Sequence, residues 1–451
     1  MKLTKSLLLA SAAGLAAVAT ASAADLPSKK AAPVEYVKVC PAFGPGFFYI
    51  PGSDTCLKIS GNVWVEGMWA QPYTKAQDTL GTRVQSRITL DARTNTEYGL
   101  LRTVVDPRFN KRNGNEQSNS QAREGNAANG SNTDGTLKQF QVNTTAYIQL
   151  GGLTVGRLGS FFGPQFGSND LPGPVGIDAR DEVNQVAYTA SLGNGITVTG
   201  ALEDSTDSSR DGIGSYNGAG AYAGGVTYGG NRLPDAVLAV KIDQSWGSAN
   251  LAASSHAINY SSNQFGVEYG YAVTGGVKVN LPMIAAGDSI MLNGVYASGF
   301  SQAVWRNSVG DVAANSTNRF AYAPGMYSTG SLNDAVVNTA NGQTYQSTSY
   351  GGVAEFTHYF TPAIASFAGG SYAKLNWDSA AQALNTANQN PTAVYTAYVG
   401  AIWSPVKGFK IVPEVTYAHV SGKYSMAASG AEPAGKTQDA WQGRIQVRRD
   451  F

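Results

Sequence analysis

Between Arg83 and Arg93 two kinds of residue take strict turns. Arg83, Gln85, Arg87, Thr89, Asp91 and Arg93 form one set; Val84, Ser86, Ile88, Leu90 and Ala92 form the other. A strand sends alternate side chains to opposite faces, so the two sets separate cleanly only if the backbone is extended. A helix would wind the arginines around its circumference. The segment therefore reads as a strand with one charged and one apolar face.

The same unit recurs along the chain, with breaks that alternate between short and long. Sixteen strands are expected, with cores at 57–70, 82–94, 98–109, 138–150, 153–162, 183–192, 196–204, 235–246, 249–260, 265–281, 289–300, 350–361, 363–377, 392–406, 409–421 and 438–451. Hairpin turns stand out at Gly151-Gly152, Gly193-Asn194-Gly195 and Lys407-Gly408. The long breaks, 110–137, 163–182, 205–234, 301–349 and 378–391, are rich in Asn, Ser, Gly and Ala. Segment 205–234 reads either as one loop or as a loop hiding a hairpin, since Ala219 to Tyr228 is mildly strand-like. Such lengths are unusual in compact soluble domains and ordinary on the outer side of an up-and-down transmembrane β-barrel.

Composition sharpens this. Charged residues are 14 %, against about 25 % in soluble domains. No run of about 18 apolar residues follows the N-terminal region, which excludes helical membrane spans. Glycine (53) and tyrosine (23) are both frequent, as suits a barrel with lipid outside and water inside. Lys+Arg total 32 and Asp+Glu 31, a balance that gives no case for a nucleic-acid partner.

The N-terminus reads as a signal peptide. Lys2 and Lys5 precede an apolar stretch from Leu7 to Ala19, and Ala21-Ser22-Ala23 fits a cleavage site. A retained anchor is the other reading, but the stretch is short for a span. The expected division is 1–23 signal peptide, 24–56 a periplasmic N-terminal segment and 57–451 the barrel. Cys40 and Cys56 are the chain's two cysteines. In an exported chain a disulfide between them is the default, and no histidine lies near enough for a zinc site.

The last segment alternates to the end. Trp441, Gly443, Ile445, Val447, Arg449 and Phe451 share one face; Gln442, Arg444, Gln446, Arg448 and Asp450 share the other. An amphipathic final strand ending in Phe resembles the assembly signal of outer-membrane barrels. Arg449 breaks the apolar set and is expected at headgroup level, where an arginine costs about 0–1 kcal/mol.

Several stretches together resemble the general porins of alphaproteobacteria. They are Gly46-Phe47-Phe48-Tyr49-Ile50-Pro51-Gly52 running into Leu57-Lys58-Ile59-Ser60-Gly61, Val155-Gly156-Arg157 with Ser160-Phe161-Phe162, Trp246-Gly247-Ser248, and Leu281-Pro282-Met283-Ile284-Ala285-Ala286-Gly287-Asp288. The resemblance implies a sixteen-stranded barrel, a homotrimer, and a third outer loop folded into the lumen. It implies a water-filled channel for passive diffusion of small hydrophilic solutes and ions, with membrane lipids outside and no cofactor.

On that reading the third loop, about Gly163 to Glu182, supplies an acidic constriction through Asp170, Asp178, Asp181 and Glu182, with Arg180 as the exception. The facing wall is basic: Arg83, Arg87, Arg93, Arg102 and Arg157. An acidic loop opposite a basic wall sets a field across the pore that orients dipolar solutes and filters ions by sign. The plainer reading makes these residues solvated lumen side chains without a selective role. Trp403, Phe409, Tyr417, Phe356, Tyr359 and Phe360 are candidates for aromatic girdles at the membrane interfaces.

Two enzyme-like features carry little. Gly430 to Thr437 fits G-x-x-x-x-G-K-[ST], yet an alternating strand follows where a phosphate loop needs a helix. His256, His358 and His419 fall on three separate strands with no G-x-S-x-G elbow, although His358 and His419 are free by sequence to approach one another. No metal-ligand spacing occurs. A substrate-specific channel and, more remotely, an outer-membrane hydrolase are the rival functions.

Overall fold

The computed structural model describes residues 38–71, 79–114, 140–163, 182–205, 229–263, 265–305, 334–338, 342–382, 392–422 and 438–451. The short strand β1 (Phe47–Tyr49) precedes β2 (Cys56–Ala70), β3 (Leu80–Thr96), β4 (Gly99–Gly114), β5 (Phe140–Leu150), β6 (Leu153–Gly159) and β7 (Glu182–Gly193). Then come β8 (Ile196–Glu203), β9 (Asp235–Gln244), β10 (Gly247–Ile258), β11 (Glu268–Asn280), β12 (Ser289–Ser298), β13 (Ala335–Asn338) and β14 (Gln343–Gln346). The last are β15 (Thr348–Thr361), β16 (Ile364–Asn376), β17 (Thr392–Val406), β18 (Phe409–Gly422) and β19 (Gln438–Asp450).

Strands β2–β12 and β15–β19 each pair antiparallel with the next, and β19 pairs with β2, so the sheet closes into a sixteen-stranded barrel. Closure removes every sheet edge. Each expected strand falls on one of these, and the three hairpin turns are where the sequence puts them. At those turns Gly151, Asn194, Gly195 and Gly408 have positive φ, a conformation that glycine and asparagine adopt most readily. The question over 205–234 stays with residues 206–228, which lie outside the described set.

The closing seam needs one particular glycine. Gly61 exchanges backbone hydrogen bonds of 3.0 Å with Phe451 in both directions. A Cβ there would lie 2.2 Å from the Arg87 carbonyl oxygen and 2.8 Å from the Phe451 ring. A side chain at this position would collide with the β3 backbone at Arg87 and press on the Phe451 ring.

The outward face carries the apolar set. On β2 and β3, Ile59, Val63, Val65, Trp69, Val84, Ile88 and Leu90 are exposed, while Asn62, Glu66, Gln85 and Asp91 are buried on the inner side. The last strand behaves as read: Trp441, Ile445 and Phe451 are exposed, and Gln442, Arg444 and Gln446 are buried. Arg449 donates to the backbone oxygens of Lys407 (3.0 Å) and Asp450 (2.7 Å) at the short-turn end.

Cys40 and Cys56 form the expected disulfide. Two elements were not expected. First, the segment that the disulfide closes is joined to the wall: β1 pairs with the start of β2, Phe47 opposite Lys58 and Tyr49 opposite Cys56. Second, the connection from β12 to β15 is not simply an outer loop. It contains a helical turn, Gln302–Trp305, and the β13–β14 hairpin. Val304 and Val336 pack among inward residues of the wall, including Ala252, Val295 and Leu375. Ala335 and Val337 pack on Ile258 and Tyr260.

Candidate pore lining

Parity puts Arg83, Arg87, Arg93 and Arg102 on the inner face, among the residues paired across β2–β3 and β3–β4. Each meets a wall carboxylate. Arg83 lies 3.6 Å from Glu66 and donates to Asn110 (2.9 Å) and Gln85 (2.7 Å). Arg87 donates through Nε to both oxygens of Asp106 at 2.7 Å. Arg93 and Arg102 grip Asp91 from two sides, at 2.8 and 2.9 Å. Charge-assisted and two-pronged, these are the stronger class of hydrogen bond. They also fix the guanidinium planes: Arg83 lies over Trp64, 5.0 Å from the ring centre, and Arg93 over Phe47 at 4.7 Å.

Glu182, placed by sequence in the acidic loop, is the first residue of β7 and forms an ion pair with Arg108 of β4. Asp170, Asp178 and Asp181 lie outside the described residues. Arg157 sits in register opposite Ala146 and Asn184. Val155, two positions before it, is exposed, as are the partners of Val155, Ile148 and Val186. The register position of Arg157 carries the outward parity, but Gly156 beside it has φ 135° and the Arg157 charge acts on Arg108 of the inner face.

The charged lining extends beyond the arginines singled out by sequence. Arg444 of β19 bridges Glu66 (3.4 Å) and Glu414 (3.2 Å), with all three side chains fully enclosed. Glu66, Asp106, Arg108 and Glu414 have the inner parity of their strands, and that parity was the signal available for finding them. What no local pattern gives is the pairing, since Glu66 and Arg444 are 378 residues apart.

A second cluster occupies the long-loop end of the barrel on its other side. Glu203 at the end of β8 accepts hydrogen bonds from Ser160 Oγ (2.7 Å) and the Phe161 N–H (2.9 Å). Opposite Glu203 in register is Asp235, the first residue of β9, whose carboxylate lies 2.9 Å from His256 Nδ1. His256 Nε2 lies 3.6 Å from Asp334, just before β13. Asp334 accepts from the Ser301 N–H (2.5 Å) and hydroxyl (2.9 Å). Burial pushes its carboxyl up to about 6, against the His256 charge and the Ser301 hydrogen bonds, which pull it down. The Phe300 ring stacks on His256 at 4.5 Å and meets Phe162 at 6.5 Å.

The other histidines are outward. His358 of β15 pairs with Asp288 (2.7 Å) near the short-turn end, and His419 of β18 with Asp439 (2.7 Å) near the long-loop end. Two strands separate them and they stand at opposite ends of the wall, so the approach left open by sequence does not occur. Among the described residues no cluster has metal-holding geometry. The phosphate-loop match lies outside the described residues, and β19 begins directly after it.

Of the girdle candidates, Trp403, Phe356 and Phe360 are exposed, and Tyr417 packs at a tilt on the exposed Trp441, ring centres 5.0 Å apart. Tyr359 is a correction. It pairs with Ala365, which is buried on the inner face, so parity turns it inward between two outward phenylalanines.

A family model described as the porin subfamily matches residues 25–444. Porin Omp2b of Brucella suis is 34 % identical over 312 residues, 65 % of this chain and 74 % of the relative. The Brucella canis Omp2b porin is 32 % identical over 306 residues, with the same shares covered. Among solved structures, the outer membrane channel DcaP of Acinetobacter baumannii superposes with a TM-score of 0.58 at 14 % identity, covering 89 % of this chain and 99 % of that one, a likeness of fold. With a closed sixteen-stranded barrel, a charged lining and a family match over nearly its whole length, the chain belongs to the porin subfamily: a non-enzymatic channel of the outer membrane for passive diffusion.

Proposed function

We propose that selection in this pore rests on the arginine–carboxylate lining of β2–β4 facing an acidic third loop. The observation that carries the reading is the row of inner-face ion pairs, Arg83–Glu66, Arg87–Asp106 and Arg93/Arg102–Asp91. Fixed charges beside a water path orient dipolar solutes and favour one ion sign, and they offer apolar solutes nothing. Asp170, Asp178 and Asp181 supply the opposing charge. Support for an inward loop comes from its first residues. β6 stops at Gly159, seven residues long beside the twelve of β7, and Phe162 is buried in the inner cluster. The test is reversal potential in a planar bilayer under a salt gradient. Asp178→Asn with Asp181→Asn shifts it toward anions; Arg83→Gln with Arg87→Gln shifts it toward cations. An unmoved potential in both would remove the filter from this place.

The working unit in this reading is a homotrimer. Tyr271, Tyr296, Tyr350, Tyr372, Tyr395, Tyr417 and Trp441 form a near-continuous outward aromatic row from β11 round to β19. Such rows mark the bilayer interface. Over the long-loop half of β6–β10 the outward residues include Val186, Leu202 and Leu238 instead, a surface suited to another subunit. Residues 1–23 act as the cleaved export signal.

A further inference from the structure

The inner wall of a water-filled barrel is expected to be polar, yet on one side of this one small apolar residues are interleaved with polar ones such as Gln185, Thr199, Ser254 and Asn293. Ala187, Ala201, Val237, Ala252, Ala272, Val295, Ala297, Val353, Ala373 and Leu375 are buried on the inner parity of β7–β12, β15 and β16. Small apolar inward residues leave room for something to pack, and the described ends of the connection from β12 to β15, residues 300–304 and 334–337, pack there. Ala303, Val304, Val336 and Val337 are each no more than 5 % exposed. Hydrophobic contact alone does not fix position, because it lacks direction. Direction comes from the Asp235–His256 hydrogen bond, the Ser301 hydrogen bonds to Asp334 and the Phe300 ring on the imidazole, with Asp334 3.6 Å from His256 Nε2.

We propose that His256 is a positioning residue of the pore: seated on Asp235 and holding Asp334 and Phe300, it pins the β12–β15 connection against the inner wall. The water path is thereby confined to the charged side, along β18, β19 and β2–β5. Because Glu203, beside Asp235, holds Ser160 and Phe161, and Phe162 meets Phe300, the stem of the third loop is braced against the same unit. Solute size selection then depends on two inner segments locked together. The inference rests on the chain being a channel and adds the element that sets its cross-section.

The test is single-channel conductance of the full-length protein in a planar bilayer. His256→Ala and Asp334→Ala are expected to raise conductance by a factor of about 1.5–2, as a widened path requires. His256→Gln, which keeps a donor, should recover part of the wild-type value, and the outward His419→Ala should change nothing. Clamp variants that fold and conduct as wild type overturn the proposal. If His256→Ala does not fold, Val336→Cys decides in the otherwise intact protein. Slow reaction with a membrane-impermeant maleimide supports a seated hairpin; labelling as fast as at an exposed loop position overturns it. A wild-type protein that forms no channel at all would overturn the channel reading and the clamp with it.

Discussion

The two sides of the lumen are built by different rules. From β18 through β19 to β5 the inner face carries ion pairs: Glu414–Arg444–Glu66, Arg87–Asp106, and Asp91 between two arginines. From β7 to β17 alanine, valine and leucine alternate up the wall with uncharged polar residues such as Gln185, Thr199, Ser254 and Asn293, under a packed inner segment, with Glu203, Asp235 and His256 near the long-loop rim. The first side is held by charge pairing; its Arg87, Arg93 and Arg102 are partly exposed, while the Arg444 triad is enclosed. The second is a hydrophobic core placed inside a barrel whose outside is also apolar. The difference teaches that period 2 reports the presence of two faces, while the medium against each face is decided elsewhere.

If the second side is a true core, deleting its central ring must cost what a core deletion costs. Phe300→Ala is expected to lower unfolding stability by about 3–5 kcal/mol, read as the urea midpoint in detergent by tryptophan fluorescence. A loss below about 1 kcal/mol would show that Phe300 rests on a wet wall.

On the charged side the largest effect is expected at Arg444, because its side chain and both partners are fully enclosed. Arg444→Met leaves Glu66 and Glu414 facing one another without it, a loss of about 3 kcal/mol. Adding Glu66→Gln and Glu414→Gln should restore most of it. If Arg444→Met is silent, water reaches this pair and the contrast between the sides is one of solvation alone.

The smallest effect belongs to the foot of the apolar side, where Asp288 of the β11–β12 turn accepts from His358 and from the Tyr359 N–H. Burial pushes the Asp288 carboxyl up, but the His358 and Tyr359 hydrogen bonds and the His358 charge outweigh it and hold it below 3.8. A carboxyl held low in the folded state stabilises above its ordinary value of 3.8, and that contribution disappears as pH falls through the folded value. Thermal scans should therefore lose a step of stability at acid pH below 4 or so, and Asp288→Asn should lack that step. Identical pH profiles for the two proteins would show that the pair contributes nothing.

The barrel itself was plain in the residues. Arg83 to Arg93 and Trp441 to Phe451 each show both faces, and glycine-bearing turns separate the strands, so the number of strands and their order follow. The arginines of the lining were found in the same way. Arg108, Glu66 and Glu414 were passed over because a single charged residue on an inner parity looks like any solvated side chain until its partner is known. The β13–β14 hairpin was missed for a different reason. Four-residue strands in a stretch rich in Asn, Ser and Ala offer too few alternations to register, and their burial depends on a wall supplied by distant strands. Tyr359 was misplaced because neighbouring phenylalanines suggested an aromatic cluster, whereas strict alternation assigns it to the other face.

By itself the sequence determined where the chain is extended and which side chains share a face, because each of those is written within a few consecutive residues. Only the tertiary structure decided which inward residues meet: Glu66 with Arg444 across the closing seam, His256 with Asp235 and Asp334, Phe162 with Phe300. Such contacts join residues far apart in the chain and leave no local periodicity. An inward alanine or valine, moreover, has the same chemistry whether it faces lipid, water or a packed loop, so only the assembled barrel shows that one side of the lumen is filled.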